Sequence, residues 1–111
     1  MNIEDNPLVE VAMEIIIHAG DARERGSLAL KHAKKFELDQ AELCMKEAKE
    51  LIIKAHKAQT DVIQKEAGGA SYQVNFIFIH AQDTLMTIKS ELNMAGELID
   101  MYKVIMKHIE R

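Results

Sequence analysis

Apolar residues recur with a helical period in three segments of the chain, and polar stretches separate the segments. Steps of three and four residues between apolar positions place them on one face of an α-helix. The pattern predicts helices over about Pro7–Lys34, Asp39–Ala67 and Val74–Ile109. Asn6 is a suitable N-cap for the first helix, and Asp39, with a glutamate three residues later, is a suitable N-cap for the second. The sequence therefore predicts an all-α protein, an antiparallel three-helix bundle.

Glycines affect the predicted helices at two places: inside the first helix and at the end of the second. Gly20 and Gly26 lie inside the first helical pattern, where each costs about 1 kcal/mol relative to alanine unless close packing requires it. We expect the helix to continue through both. The pair Gly68-Gly69 ends the second pattern as glycines commonly do, and a loop is predicted over Gly68–Gln73.

The third segment carries two apolar stripes rather than one. The first stripe runs from Val74 to Ile109 in alternating steps of four and three, and it is roughly 50 Å long. A three-helix monomer buries one stripe per helix, so the second stripe must be covered in another way. We expect a symmetric oligomer in which the third helix faces its own copies. The second stripe reads Phe76, His80, Asp83, Thr87, Met94, Leu98, Met101 and Ile105.

Composition narrows the functional classes. The 111 residues suffice for one domain, and 48% apolar residues with a single proline suit a helical protein. A net charge of −4 gives no reason to expect nucleic acid or an anionic membrane surface as a partner. One cysteine, Cys44, cannot form an internal disulfide. With neither a signal peptide nor an apolar run of membrane-spanning length, we expect a cytoplasmic protein that does not insert into membranes.

Candidate chemistry lies at the polar end of the second stripe. His80 is a candidate nucleophile, because an imidazole can accept a phosphoryl group and release it again. The alternative is a histidine that is simply hydrogen-bonded at a helix interface. Asp83, one turn later, would form a ring of carboxylates near a symmetry axis, which requires protons or a hard cation such as Mg²⁺. The alternative is an exposed or locally paired carboxylate.

The rest of the sequence gives weaker evidence for a metal site or a catalytic residue. No HExxH or paired His/Cys spacing supports a zinc site, and Cys44 on an apolar stripe is expected to pack in the core. A metal-dependent bundle enzyme would need Glu-x-x-His ligand pairs, which the sequence lacks. Of the remaining histidines, His18 lies in the first predicted helix and His56 in the second. His32 and His108 fall near helix ends, where a histidine often caps the helix or faces solvent.

Four segments together carry a family resemblance. They are Ile15–Arg23 in the first helix, Ala55–Thr60 and Ile63–Gly69 in the second, and His80–Thr87 in the third. The last reads His-Ala-Gln-Asp-Thr-Leu-Met-Thr and is the most specific. In the order and spacing of these segments the chain resembles the IIA subunits of the lactose/cellobiose (chitobiose) type in the bacterial sugar phosphotransferase system. The resemblance implies that residues 1–111 form one domain of this type.

The resemblance also implies an assembly and a reaction. Three-helix protomers of this family trimerise into a nine-helix bundle. His80 matches the histidine that phospho-HPr phosphorylates, as a tele-phosphohistidine, before the phosphoryl group passes to a cysteine of the cognate IIB subunit. Asp83 matches the aspartate at the trimer axis, where a divalent cation such as Mg²⁺ can bind as a structural ion. The sugar, taken up through the membrane IIC subunit, would be a β-linked disaccharide of the cellobiose, chitobiose or lactose class.

Two positions depart from the family pattern. Many members have a second histidine where this chain has Thr84, whose hydroxyl can still donate a hydrogen bond to phosphate. Asparagine is common at the position of His18, whose imidazole would add positive charge if the first helix borders the active crevice. Thr84 and Gln82 are assigned supporting positions beside His80. The alternative function is a helical interaction or regulatory module that kept the fold without phosphotransfer.

Overall fold

Three long helices make up the computed structural model, which describes residues 6–70, 72 and 75–110. The helices are α1 (Pro7–Lys34), α2 (Leu38–Ala67) and α3 (Phe76–Ile109). Because a short turn joins α1 to α2 and all three helices pack together, they form an antiparallel bundle. The bundle measures 64 × 24 × 17 Å. No strand occurs among the described residues, and the predicted all-α three-helix protomer is confirmed.

The two predicted N-caps have different outcomes. The Asn6 side chain accepts a hydrogen bond from the Leu8 N–H at 2.9 Å, as predicted. The prediction that Asp39 caps α2 is wrong, because the helix already begins at Leu38 with Glu37 in the cap position. Phe36 adopts φ 58° and turns the chain sharply, and Leu38 packs against the core, so the helix starts before Asp39 is reached. Asp39 instead lies in the first turn, where a carboxylate favours the helix dipole.

Helix α1 continues through both of its glycines, as expected. The two positions differ in their surroundings. A Cβ atom on Gly26 would lie 2.5 Å from Leu92 Cδ2, whereas one on Gly20 would meet nothing within 4 Å. Gly26 therefore permits the close approach of α1 to α3.

The α2–α3 connection begins where the sequence predicts. Gly68 follows the last residue of α2, and Gly69 has φ 107°, a conformation that suits glycine. Gln73, the predicted end of the loop, and Val74, the predicted start of the third helix, lie outside the described residues. The helix itself begins at Phe76.

The inward stripe of α3 forms one wall of the core over most of its length. Beyond Ile99 the burial declines: Tyr102 is half-buried, Met106 likewise, and Ile109 is 67% exposed. The Tyr102 ring meets the ring of Phe36 edge-on, with centroids 5.8 Å apart, at the level of the α1–α2 turn. The last two turns of α3 therefore extend past that turn. The buried members of the stripe are Phe78, Ala81, Leu85, Ile88, Leu92, Ala95 and Ile99.

Candidate functional site

The predicted site residues share the second and third turns of α3. His80 and Asp83 are exposed, whereas Gln82 and Thr84 are half-buried. Ala81 and Leu85, which alternate with them, are fully buried. The core thus holds this part of the helix in one orientation, and His80 and Asp83 project outward.

Asn75 fixes where this helix begins. Its side-chain oxygen accepts a hydrogen bond from the Phe78 N–H at 2.8 Å, two residues before His80. Its Nδ2 atom is buried and has no hydrogen-bond partner. The sequence analysis missed this cap, although an asparagine directly before an apolar helical run is a recognisable signal.

The second stripe of α3 is exposed along its whole length in the single chain. Phe76 is 89% exposed, Met94 63% and Met101 59%. His80, Asp83 and Thr87 are exposed among them. The sequence-based prediction that the protomer leaves this stripe uncovered is confirmed.

His80 stands without a charged neighbour on its own helix other than Asp83. No lysine or arginine occurs in α3 before Lys89. Neither His80 nor Asp83 forms a hydrogen bond or an ion pair with another described residue. Both ring nitrogens of His80 are therefore open to another molecule, and the Asp83 carboxylate is available as an oxygen ligand.

His18 occupies a separate groove between α1 and α2. The groove has a volume of about 380 Å³, and its walls include His18, Lys54 and Lys57 but no residue of α3. His18 Nε2 lies 3.9 Å from an oxygen of Glu14. The structure thus does not bring His18 and His80 together within one chain.

The other candidates have ordinary surroundings. His32 Nδ1 lies 3.0 Å from an oxygen of Glu37, while His56 and His108 are exposed. Cys44 is buried, as expected from its stripe. Within the described part of one chain, no three His, Cys, Asp or Glu side chains are grouped so that they could hold a metal ion.

A search of the described helices for membrane spans finds none that is both long and apolar enough to cross a bilayer.

A three-helix protomer with an exposed, unpartnered histidine on an uncovered, largely apolar helix face is typical of small helical proteins that work with other chains. The family model "PTS system, Lactose/Cellobiose specific IIA subunit" matches residues 10–103. The chain belongs to this family, and it is a IIA component of the phosphotransferase system.

Similar proteins span nearly the whole chain. The lactose-specific EIIA component of Staphylococcus epidermidis is 42% identical over 84% of this chain and 89% of its own. The crystal structure of PtcA from S. mutans has a TM-score of 0.85 at 37% identity, covering 93% of this chain and 99% of that one. The IIA(Chitobiose) structure, solved in complex with HPr from Escherichia coli, has a TM-score of 0.77 at 34% identity, covering 88% and 95%.

Proposed function

We propose that His80 is the phosphoryl acceptor of this IIA component. The observation that carries the proposal is its position: an exposed imidazole without hydrogen-bond partners, one turn from Asp83 on the outward face of α3, within the segment that the family model matches. The donor is phospho-HPr, and the acceptor is a cysteine of the cognate IIB subunit. A relative of this fold forms a complex with HPr, which supports the first partner.

The transfer exchanges one N–P bond for another. The lone pair of His80 Nε2 attacks phosphorus in line with the donor, and the electrons of the breaking N–P bond return to the donor imidazole. In the second step a thiolate of the IIB subunit attacks, an S–P bond forms and the His80 ring recovers its electron pair. Little covalent work falls to the protein, so positioning and charge stabilisation dominate.

The residues beside His80 bear on the phosphorylated state. A phosphoryl group brings about two negative charges one turn from the Asp83 carboxylate. Because α3 offers no lysine or arginine before Lys89, we propose that the hydroxyl of Thr84, one turn after His80, donates a hydrogen bond to the phosphoryl group. Gln82 keeps the family motif, and we propose no chemical step for it.

The outward face of α3 supports a homotrimer. The protomer leaves apolar residues of this face between 42% and 63% exposed: Met94, Leu98, Met101 and Ile105. Three copies of α3 around one axis would bring three Asp83 carboxylates together. Carboxylate oxygens are ligands that Mg²⁺ prefers, so Asp83 fits a structural divalent cation whose remaining ligands would be water. The ion would neutralise the carboxylates and takes no part in the transfer.

The setting of the reaction follows from the relatives. Similar proteins serve lactose and N,N'-diacetylchitobiose systems, so we propose a β-linked disaccharide of this class as the transported sugar. The membrane IIC subunit contacts the sugar, and the IIA component works in the cytoplasm. The net charge of −4 gives no reason to add nucleic acid to these partners.

Phosphorylation by the general enzymes tests the site. Incubation with phosphoenolpyruvate, Enzyme I and HPr should label the protein in an acid-labile, base-stable way, and His80→Gln should abolish the label completely. The matched control is His56→Gln, which removes an exposed histidine of α2 and should leave labelling unchanged. Label that survives in His80→Gln would remove His80 from the reaction.

The interaction module is the second candidate, and the Thr84 departure is the feature that favours it. It requires a wild-type protein that stays unlabelled under these conditions and binds a partner outside sugar transport. Labelling of the wild-type chain with transfer to a IIB subunit excludes it.

A further inference from the structure

Phe76 is the most exposed large hydrophobic side chain among the described residues. It is 89% exposed at the first position of α3, one turn before His80. A phenylalanine ring is costly to leave in water, since burial of such a side chain is worth roughly 1.5–3 kcal/mol. Phe76 takes no part in the core formed by the described residues, so its ring is available to another molecule.

Helical geometry places Phe76 on the line along which α3 is uncovered. Each residue advances about 100° around a helix with 3.6 residues per turn. Met94 therefore lies almost directly in line with Phe76, and Asp83, Met101 and Ile105 lie within about 20° of that line. His80 is displaced by about 40° to one side.

We propose that Phe76 packs against the Phe76 side chains of two further copies of the chain and closes this end of the trimer axis. The inference rests on the proposed trimer and adds a contact to it. If the Met94–Ile105 segment meets its copies at the axis, a straight helix carries Asp83 and Phe76 to that axis as well. The Phe76 rings lie about 10 Å beyond the carboxylates, at seven residues of 1.5 Å rise. His80 lies at the rim of the same seam.

A further copy of this chain fits the ring better than a transfer partner does. Phe76 lies in line with the exposed apolar positions Met94 and Met101, which indicates one continuous seam. His80, displaced from this line, remains accessible to a transfer partner while Phe76 is covered.

A fluorescent reporter tests the proposal directly, because the chain contains no tryptophan. In Phe76→Trp, the emission of the assembled protein should be blue-shifted, and acrylamide should quench it several-fold less than in protomers obtained by dilution. Ile63→Trp is the matched control: Ile63 is 52% exposed on α2, off the α3 face, and its reporter should remain quenchable in both states. Met94→Trp, in line with Phe76, should behave as Phe76→Trp does.

Three outcomes of this experiment would contradict the proposed Phe76 contact. Full quenching of the Phe76→Trp reporter in an intact trimer overturns the proposal and leaves the trimer and phosphotransfer standing. Shielding that develops only when HPr or a IIB subunit is added assigns the ring to a transfer partner and overturns it too. A wild-type chain that is monomeric at every concentration contradicts both the trimer and the Phe76 contact. The labelling of His80 is a separate measurement and tests phosphotransfer independently.

A second pair of variants measures the contact without a reporter. Phe76→Asp places three more carboxylates at the axis and should weaken assembly by about a hundredfold or more, since an uncompensated buried charge is strongly destabilising. Phe76→Leu keeps an apolar side chain and should change assembly by less than about tenfold. Equal assembly of the two variants contradicts the proposal, and helix content measured by circular dichroism shows that both are folded.

Discussion

The two halves of the outward face of α3 differ in chemistry although both are exposed. From His80 to Ser90 the face carries polar side chains: an imidazole, a carboxylate and hydroxyls. From Met94 to Ile105 it carries apolar ones. The inward stripe on the opposite side of the helix is continuously apolar and buried as far as Ile99. Both halves are therefore held in place by the same kind of core packing. The comparison shows that exposure alone does not reveal a role: the apolar half is expected only to associate, whereas the polar half combines His80, the proposed phosphoryl acceptor, with Asp83 at the proposed trimer axis.

Charging the apolar half should produce the largest effect on assembly. Met101→Glu would place an unpaired carboxylate in the α3 seam, and burying it costs about 3 kcal/mol or more, so association should weaken by roughly a hundredfold or more. Sedimentation equilibrium measures this change. Met13→Glu is the matched control, because Met13 is 47% exposed on α1, away from the seam, and the variant should assemble normally. Unchanged assembly of Met101→Glu would show that this half does not associate.

Removing the charge of Asp83 from the polar half should leave the assembly equally stable or make it more stable. Asp83→Leu replaces clustered carboxylates with apolar groups, which is often neutral or stabilising by about 1–4 kcal/mol. Thermal unfolding at fixed protein concentration should show an equal or higher midpoint. A chelator should lower the midpoint of the wild type and leave that of the variant unchanged if an ion neutralises the carboxylates. Dissociation of the variant would instead mean that Asp83 and its ion hold the subunits together.

Substitutions of two glycines in α1 test how closely α1 packs against the inward side of α3, near the junction of the two halves. Gly26→Ala gains helix propensity but forces Leu92 to move, because the new Cβ would lie 2.5 Å from Leu92 Cδ2. We expect a net loss of about 1 kcal/mol in the free energy of unfolding. Gly20→Ala meets no such neighbour and should gain up to about 1 kcal/mol. Urea unfolding compares the two, and equal shifts would show that α1 and α3 can separate slightly at no cost.

The smallest effect concerns an ion pair on the inward side of α3, at the level of the apolar half. A hydrogen bond from Lys103 to Glu42, which ties α3 to α2, raises the pKa of Lys103 above its ordinary value of 10.5. A raised pKa contributes stability that is fully present below about pH 10.5 and is lost as the pH rises through the folded-state pKa. Lys103→Met should therefore flatten the alkaline limb of a stability–pH profile slightly, because a partly exposed pair contributes little. An identical limb in both proteins would show that the pair is not formed in solution.

Most of the fold could be predicted from periodicity, because helical spacing and a buried inward stripe report the same geometry. Both ends of α1 and the end of α3 were predicted correctly. The start of α2 was not, because the positive φ of Phe36 and the packing of Leu38 depend on tertiary contacts that no local pattern encodes. At the site, spacing placed His80 and Asp83 on one outward face. The chemistry of His80 came from the family resemblance, since an exposed histidine alone fits many roles.

The overhang of α3 beyond Tyr102 has a consequence for amide hydrogen exchange. Helical turns without tertiary packing are marginally stable, so the backbone from Val104 to Ile109 should open readily in an isolated protomer and exchange its amide protons fast. Val104, Ile105 and Ile109 are all exposed in the single chain, and in an assembly their apolar side chains would gain neighbours. Exchange protection in this terminal segment would then rise with protein concentration, while protection at Leu85 and Ile88, buried in every state, would change far less.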